Sequence, residues 1–217
     1  MTPFFKDLTP LPDSALTSAF FQTAGTFGQL ISVCASGSSA VLTMHQKRKN
    51  GWQLLLYTES TLGKNGIGKE KEGDWRTPLG LYTFTEAFGI RPDPGCSALP
   101  YFQVDDSMYW MADPASPSDY NTLISLRQTS AHGNLGISEH LSDCTGSYDY
   151  VLATSFNVER IPYAGSGIFL HCFNPGETPT AGCISVSEQA MVFILQNLQK
   201  DCPLFIFENS SLFKYKA

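Results

Sequence analysis

Charge is scarce in this 217-residue chain: only 16% of residues are charged, and 14 Lys and Arg against 20 Asp and Glu leave a net charge of −6. No basic run exceeds Lys47-Arg48-Lys49. That excludes the positive stripe with which proteins neutralise a phosphate backbone, so no nucleic-acid partner is expected. No stretch approaches the ~20 apolar residues of a membrane span, so no integral membrane segment is expected either. Met1-Thr2-Pro3-Phe4-Phe5-Lys6-Asp7 lacks the cationic flank and apolar run of a secretory leader. Cys-x-x-Cys is absent, which leaves redox-disulfide and common zinc patterns unsupported.

What is present is a globular composition, 42% apolar, in a chain long enough to bury a sizeable core. The cysteines are Cys34, Cys96, Cys144, Cys172, Cys183 and Cys202. An even count suits disulfides in an exported protein, but a reactive thiol among them would leave an odd number, and the pairing stays open.

The chain reads mostly as strands. Residues 29–33 and 40–46 flank Ser36-Gly37-Ser38-Ser39 and predict a hairpin, with a third strand over 52–57. Residues 61–80 are glycine-rich and charged, hence a loop, before a strand over 81–88. Pro92, Pro94 and Pro100 exclude a regular element interior over 89–100. Further strands are expected over 101–104, 109–111, 148–156, 167–171 and 203–207. Helix is expected over 187–200, capped by Ser187, with Met191, Ile194, Leu195 and Leu198 as its apolar stripe. Short helices are expected over 13–22 and 138–141. The organisation expected is an N-terminal extension, 1–28, and a single domain, 29–217.

Chemistry concentrates near the C-terminus. Ile168-Phe169-Leu170-His171 reads as a strand ending in an imidazole, and Pro179-Thr180-Ala181-Gly182-Cys183-Ile184 as a tight turn delivering a thiol 12 residues later. A thiol becomes a competent nucleophile when a neighbouring imidazole takes its proton. A tetrahedral intermediate then needs donors aimed at its oxygen, and the N–H groups of Gly182 and Cys183 are the candidates. Either residue alone would read as buried structure; the pattern together points to a Cys–His acyl-transfer site.

These residues resemble the L,D-transpeptidases of the YkuD type, whose signature is a strand ending in His, a loop, and Ser/Thr-x-Gly-Cys-hydrophobic. Thr180-Ala181-Gly182-Cys183-Ile184 fits that form. Gly73-Asp74-Trp75-Arg76-Thr77-Pro78-Leu79-Gly80 resembles the family's Thr-Pro-x-Gly turn, and the similarity extends through Trp110-Met111-Ala112-Asp113 and Ser118-Asp119-Tyr120-Asn121, covering roughly residues 52–190. The chain departs in having Ala181 where many members have His or Arg, Ser185 where many have Arg or Asn, and a shorter His-to-Cys loop. The resemblance implies a mostly-β, sandwich- or barrel-like catalytic domain outside the cytoplasmic membrane, in the cell wall or periplasm, acting on peptidoglycan stem peptides without a cofactor. It implies Cys183 as nucleophile and His171 as base, with the Cys172 carbonyl orienting the imidazole. Hydrolysis of the same bond by an L,D-carboxypeptidase, or wall binding without catalysis, are the alternatives.

Thr180, Ala181, Trp110, Tyr120 and Tyr163, together with Tyr101, are candidates to line a substrate groove. Asp113, Asp119 and Glu139 are candidates to engage an acceptor amine. Gly63-Lys64-Asn65-Gly66-Ile67-Gly68-Lys69-Glu70 nearly spells a phosphate-binding loop, but Glu70 stands where a Ser or Thr should hold Mg²⁺, so no nucleotide is expected. His132, His140 and Cys144 with His171 match no standard zinc spacing, and no metal is expected. Ser211-Leu212-Phe213-Lys214 is the sole Ser-x-x-Lys and lacks a Lys-Thr-Gly partner.

Overall fold

The computed structural model describes residues 27–129, 133–173 and 179–208. The helix expected over 13–22, most of the 1–28 extension, His132 and the 211–214 motif lie outside them.

The strands in chain order are β1 (Gln29–Ser36), β2 (Ser39–Arg48), β3 (Gly51–Thr61), β4 (Gly80–Tyr82), β5 (Phe84–Gly89), β6 (Tyr101–Gln103) and β7 (Met108–Met111). They continue as β8 (Thr122–Ser125), β9 (Glu139–His140), β10 (Val151–Thr154), β11 (Phe169–Cys172), β12 (Ile184–Val186) and β13 (Leu204–Glu208). One α-helix, α1 (Glu188–Asn197), is found among the described residues. The strands form a ten-stranded sheet, ordered β4-β13-β1-β2-β3-β12-β11-β10-β5-β6, and a three-stranded sheet, β8-β7-β9. No helix among the described residues is long and apolar enough to cross a membrane.

The site is positioned by three central strands buried on both faces. Along β10 and β11, Leu152, Leu170 and Cys172 enter one core, with Ile31, Val33, Leu42, Ile184 and the helix residues Met191 and Ile194. The alternate residues Val151, Ala153 and Phe169 enter a second core, with Phe88, Trp110, Leu141, Tyr148 and Cys183. This is the two-residue period of a strand expressed as two separate cores. Fully burying a side chain such as Ile194 contributes about 1.5–3 kcal/mol.

The β1–β2 hairpin pairs Ser36 with Ser39, so both strands run further than their apolar residues alone suggest. Helix α1 begins as expected, with the Ser187 hydroxyl accepting from the Ala190 N–H at 3.3 Å. It ends at Asn197 rather than at 200 because Leu198 turns extended (φ −63°, ψ 135°), while its side chain stays in the core.

The strand expected over 81–88 is two strands, β4 and β5, because β4 pairs with β13 and β5 with β10. Strand β10 covers only part of the 148–156 expectation. The short helix expected over 138–141 is absent. Glu139 and His140 instead pair with Trp110 and Tyr109, and 3-10 turns fall on either side, at Leu135–Ile137 and Leu141–Asp143. The six cysteines, all among the described residues, form no disulfide.

Candidate active site

Strands β11 and β12 are parallel neighbours, with Leu170 opposite Ile184 and His171 opposite Ser185. Continuing that register by one pair sets Cys183 beside Phe169, whose N–H donates to the Cys183 Sγ at 3.4 Å. Phe169, His171, Cys183 and Ser185 therefore share one face, and His171 and Cys183 both line a cleft of about 1120 Å³.

Four hydrogen bonds and a glycine shape the turn that delivers the thiol. The Thr180 hydroxyl donates to the Cys183 carbonyl at 2.7 Å and accepts from the Gly182 N–H at 3.2 Å. The Thr180 N–H donates to the Leu62 carbonyl, and the Lys64 N–H to the Thr180 carbonyl, both at 2.9 Å. Gly182 sits at φ +149°, where a Cβ would stand 2.9 Å from the Arg76 carbonyl oxygen. The near-phosphate loop of the sequence is thus the floor on which the thiol turn rests. Its neighbour Thr77, fully buried, accepts from the Gly63 N–H at 2.9 Å and reaches the Cys183 carbonyl at 3.5 Å. The two sequence motifs meet at that carbonyl.

In this arrangement the Gly182 N–H, one of the two expected oxyanion donors, is directed at the Thr180 hydroxyl. The competing acceptor is a residue of the same turn.

The Cys183 thiol and the His171 imidazole are both buried. Burial lowers the His171 pKa to about 4, against the opposing effect of backbone hydrogen bonds with Cys172 and Ser147. Its Nδ1 lies 2.6 Å from the Cys172 carbonyl oxygen, which can only accept, so Nδ1 carries the proton of the neutral ring and Nε2 does not. Burial, reinforced by the negative charge of Glu139, pushes the Cys183 thiol up to about 12, against the Phe169 N–H and the charge of Lys69. With both groups shifted toward their neutral forms, they do not rest as a thiolate–imidazolium ion pair.

The other expected groove residues divide. Thr180, Ala181, Tyr163 and Glu139 line the cleft. Trp110 and Tyr120 do not: Trp110 is buried with its Nε1–H donating to Asn121 Oδ1, and Tyr120 is fully buried with its hydroxyl donating to Glu72 Oε2. Each is an aromatic whose polar end is satisfied inside the protein. Tyr101 donates to the Arg91 carbonyl, away from the cleft. Asp113 is buried and accepts from the N–H groups of Ala115 and Asn134, a structural role. Asp119 accepts from the Ser118 hydroxyl outside the cleft. Among the described residues no group of three His, Cys, Asp or Glu could hold a metal ion.

Lys69, Glu72, Trp75 and Tyr148 also line the cleft and were not singled out by sequence reasoning. Lys69 is buried against Asp74 at 3.0 Å. Burial opposes ionisation of Asp74, but hydrogen bonds from Glu70, Lys69, Lys71 and Arg76 prevail and hold its carboxyl at about 2. Trp75 and Tyr163 stand exposed at the cleft in left-handed conformations, φ 60° and 66°. Only the Thr-Pro turn after this loop could have signalled its importance.

The two-core β-fold thus brings a thiol and an imidazole, carried on parallel neighbouring strands, into one cleft. The L,D-transpeptidase catalytic domain family (YkuD) matches residues 35–206, and the chain belongs to that family. No curated protein matches it. Among solved structures it is similar to Bd1075 of Bdellovibrio bacteriovorus, at 16% identity and a TM-score of 0.45, covering 95% of this chain and 57% of that one. It is also similar to the helical cell shape determining protein Pgp2 of Campylobacter jejuni (14% identity, TM-score 0.44, 89% and 55% covered). A third is L,D-transpeptidase 1 of Mycobacterium tuberculosis (14%, 0.37, 82% and 58%). The chain spans somewhat more than half the length of these proteins.

Proposed function

We propose that this chain is an extracytoplasmic cysteine acyltransferase that acts on peptidoglycan stem peptides and passes the acyl group to an acceptor amine. The observation that carries the reading is the placement of Cys183 and His171 on one face of β11 and β12 in a shared cleft, within a family catalytic domain. His171 Nε2 takes the proton as Sγ attacks the carbonyl carbon of the third stem residue and the C–S bond forms. The oxygen takes up the carbonyl electron pair, with the Cys183 N–H as its donor. Collapse expels the terminal D-alanine amine, which takes the proton from His171, and a thioester remains. An acceptor amine then attacks, loses its proton to His171, and releases Sγ as the thiol's conjugate base for reprotonation.

Hydrolysis is the second reading, favoured by the exposed Ala181 at the lip of the site, where a larger side chain would restrict water. Product partitioning separates the two. With a tetrapeptide stem and rising amine acceptor, the transfer product should displace the tripeptide. Tripeptide as sole product at saturating acceptor would establish a carboxypeptidase.

A further inference from the structure

The cleft that holds the thiol also presents a carboxylate that the reaction above does not use. Glu139 comes from β9, and the Tyr148 hydroxyl donates to its Oε2 at 2.7 Å. Tyr148 is itself fixed: its ring meets His171 edge-on with centroids 5.5 Å apart, and Phe169 likewise at 5.5 Å. Phe88 packs on the same ring at 6.5 Å. Tyr148, Phe169 and Cys183 belong to one core, so the phenol bridges the imidazole, the thiol's packing partners and the carboxylate.

We propose that Glu139, held by Tyr148, is a positioning residue for the Cys183–His171 pair: its fixed negative charge keeps the proton on the thiol until the imidazole takes it. The electrostatics follow from the placement. A carboxylate bonded to the phenol that packs on His171, and lining the same cleft as Sγ, disfavours a second negative charge on the sulfur and favours a positive one on the ring. The thiolate then arises only together with imidazolium, during attack, and is not left standing to be oxidised or alkylated. The groups around the thiol are Glu139, Lys69, Cys144, Tyr148 and His171, and only Lys69 pulls against Glu139 as a permanent charge. Lys69 is largely spent on Asp74, at 3.0 Å. Around Glu139 itself stand Tyr148 and Glu72. Glu139 keeps an exposed surface in the cleft, but desolvation of its carboxyl against Tyr148, with the Glu72 charge adding to it, raises the carboxyl despite the Tyr148 hydrogen bond, so the restraint relaxes in acid.

This inference rests on reading Cys183 and His171 as the reacting pair. Its test needs no stem peptide, so failure of the transfer assay and failure of this idea are separable. The rate of alkylation of Cys183 by iodoacetamide, a neutral reagent, is followed against pH on the full chain, with the adduct quantified on the Cys183 peptide. Glu139→Gln should lower the midpoint by about one pH unit or more, a roughly tenfold faster reaction at fixed pH below it. Glu139→Asp should return most of the shift. Asp143→Asn removes another cleft carboxylate, one that faces His140, and should move the midpoint far less. Tyr148→Phe keeps the packed ring and deletes only the hydroxyl, so it serves if Glu139→Gln fails to fold; it too should lower the midpoint. An unchanged or raised midpoint in Glu139→Gln or Tyr148→Phe overturns the proposal, as does an equal shift in Asp143→Asn.

Discussion

The Cys183 thiol points its proton at the carbonyl of Gly167, 3.1 Å away, while the Phe169 N–H approaches the same sulfur from the neighbouring strand. The thiol is thus held by backbone on β11 and the residues before it, at the edge of the aromatic core. In the proposed reaction, Sγ exchanges that carbonyl for His171 Nε2. The resting hydrogen bond is to a neutral acceptor and contributes only about 1 kcal/mol, a small barrier against a substrate that fills the cleft.

Stability should depend on pH through two buried histidines. His45 and His171 are both lowered by burial to about 4. Between that value and the ordinary 6.5 the unfolded chain binds more protons than the folded one, so stability is full above about 6.5 and falls as pH drops toward 4. Each site carries on the order of 3 kcal/mol across that window. His45→Asn and His171→Asn should each flatten the curve of melting temperature against pH between 4 and 6.5. Parallel curves for wild type and variants would show that these imidazoles do not titrate as buried groups.

Thr77 ties the Thr-Pro turn to the thiol turn. Thr77→Val keeps the shape but leaves the Gly63 N–H without its acceptor inside the protein. A loss of about 1–3 kcal/mol in chemical denaturation is expected, together with slower acylation. Thr180→Val, which releases both the Cys183 carbonyl and the Gly182 N–H, should slow acylation further. Unchanged rates in both variants would mean that the turn holds its geometry without them.

Asp74 organises the loop over 61–76. Asp74→Asn removes the charge that Lys69 needs in its buried position, side chain 2% exposed. Stranding a buried cation costs about 3–5 kcal/mol, measurable as a lowered denaturation midpoint. The double variant Asp74→Asn, Lys69→Met should recover most of that loss. Failure of the second substitution to rescue the first would place the cost in the backbone hydrogen bonds to Asp74 instead.

How much of this was legible in the sequence depended on whether the signal was local. The 29–46 hairpin, helix α1 and the strand before His171 follow from apolar period and caps, which neighbouring residues set. Strands β8, β9 and β12 escaped because two to four residues carry too little period; partners far along the chain define them, as Trp110 does for Glu139. That Cys183 and His171 meet in one cleft could be anticipated because their two motifs lie within one short stretch of chain. Trp110 and Tyr120 were misplaced because an aromatic residue looks the same in sequence whether it faces a groove or a core. Lys69 and Tyr148 were invisible, since only the meeting of β9, β11 and the 61–76 loop makes them neighbours of the thiol.

The most direct test of the central claim is intact mass spectrometry of the protein with a tetrapeptide stem, quenched in acid, followed by peptide mapping. A mass increase equal to the acyl tripeptide, located on Cys183 and absent in Cys183→Ala, is predicted. His171→Ala should form the same adduct about 10²–10⁴-fold more slowly, the usual cost of a lost general base. An adduct on Cys172, whose thiol is buried and donates to the Tyr150 carbonyl, or no adduct at all while the stem is still cleaved, would contradict the account.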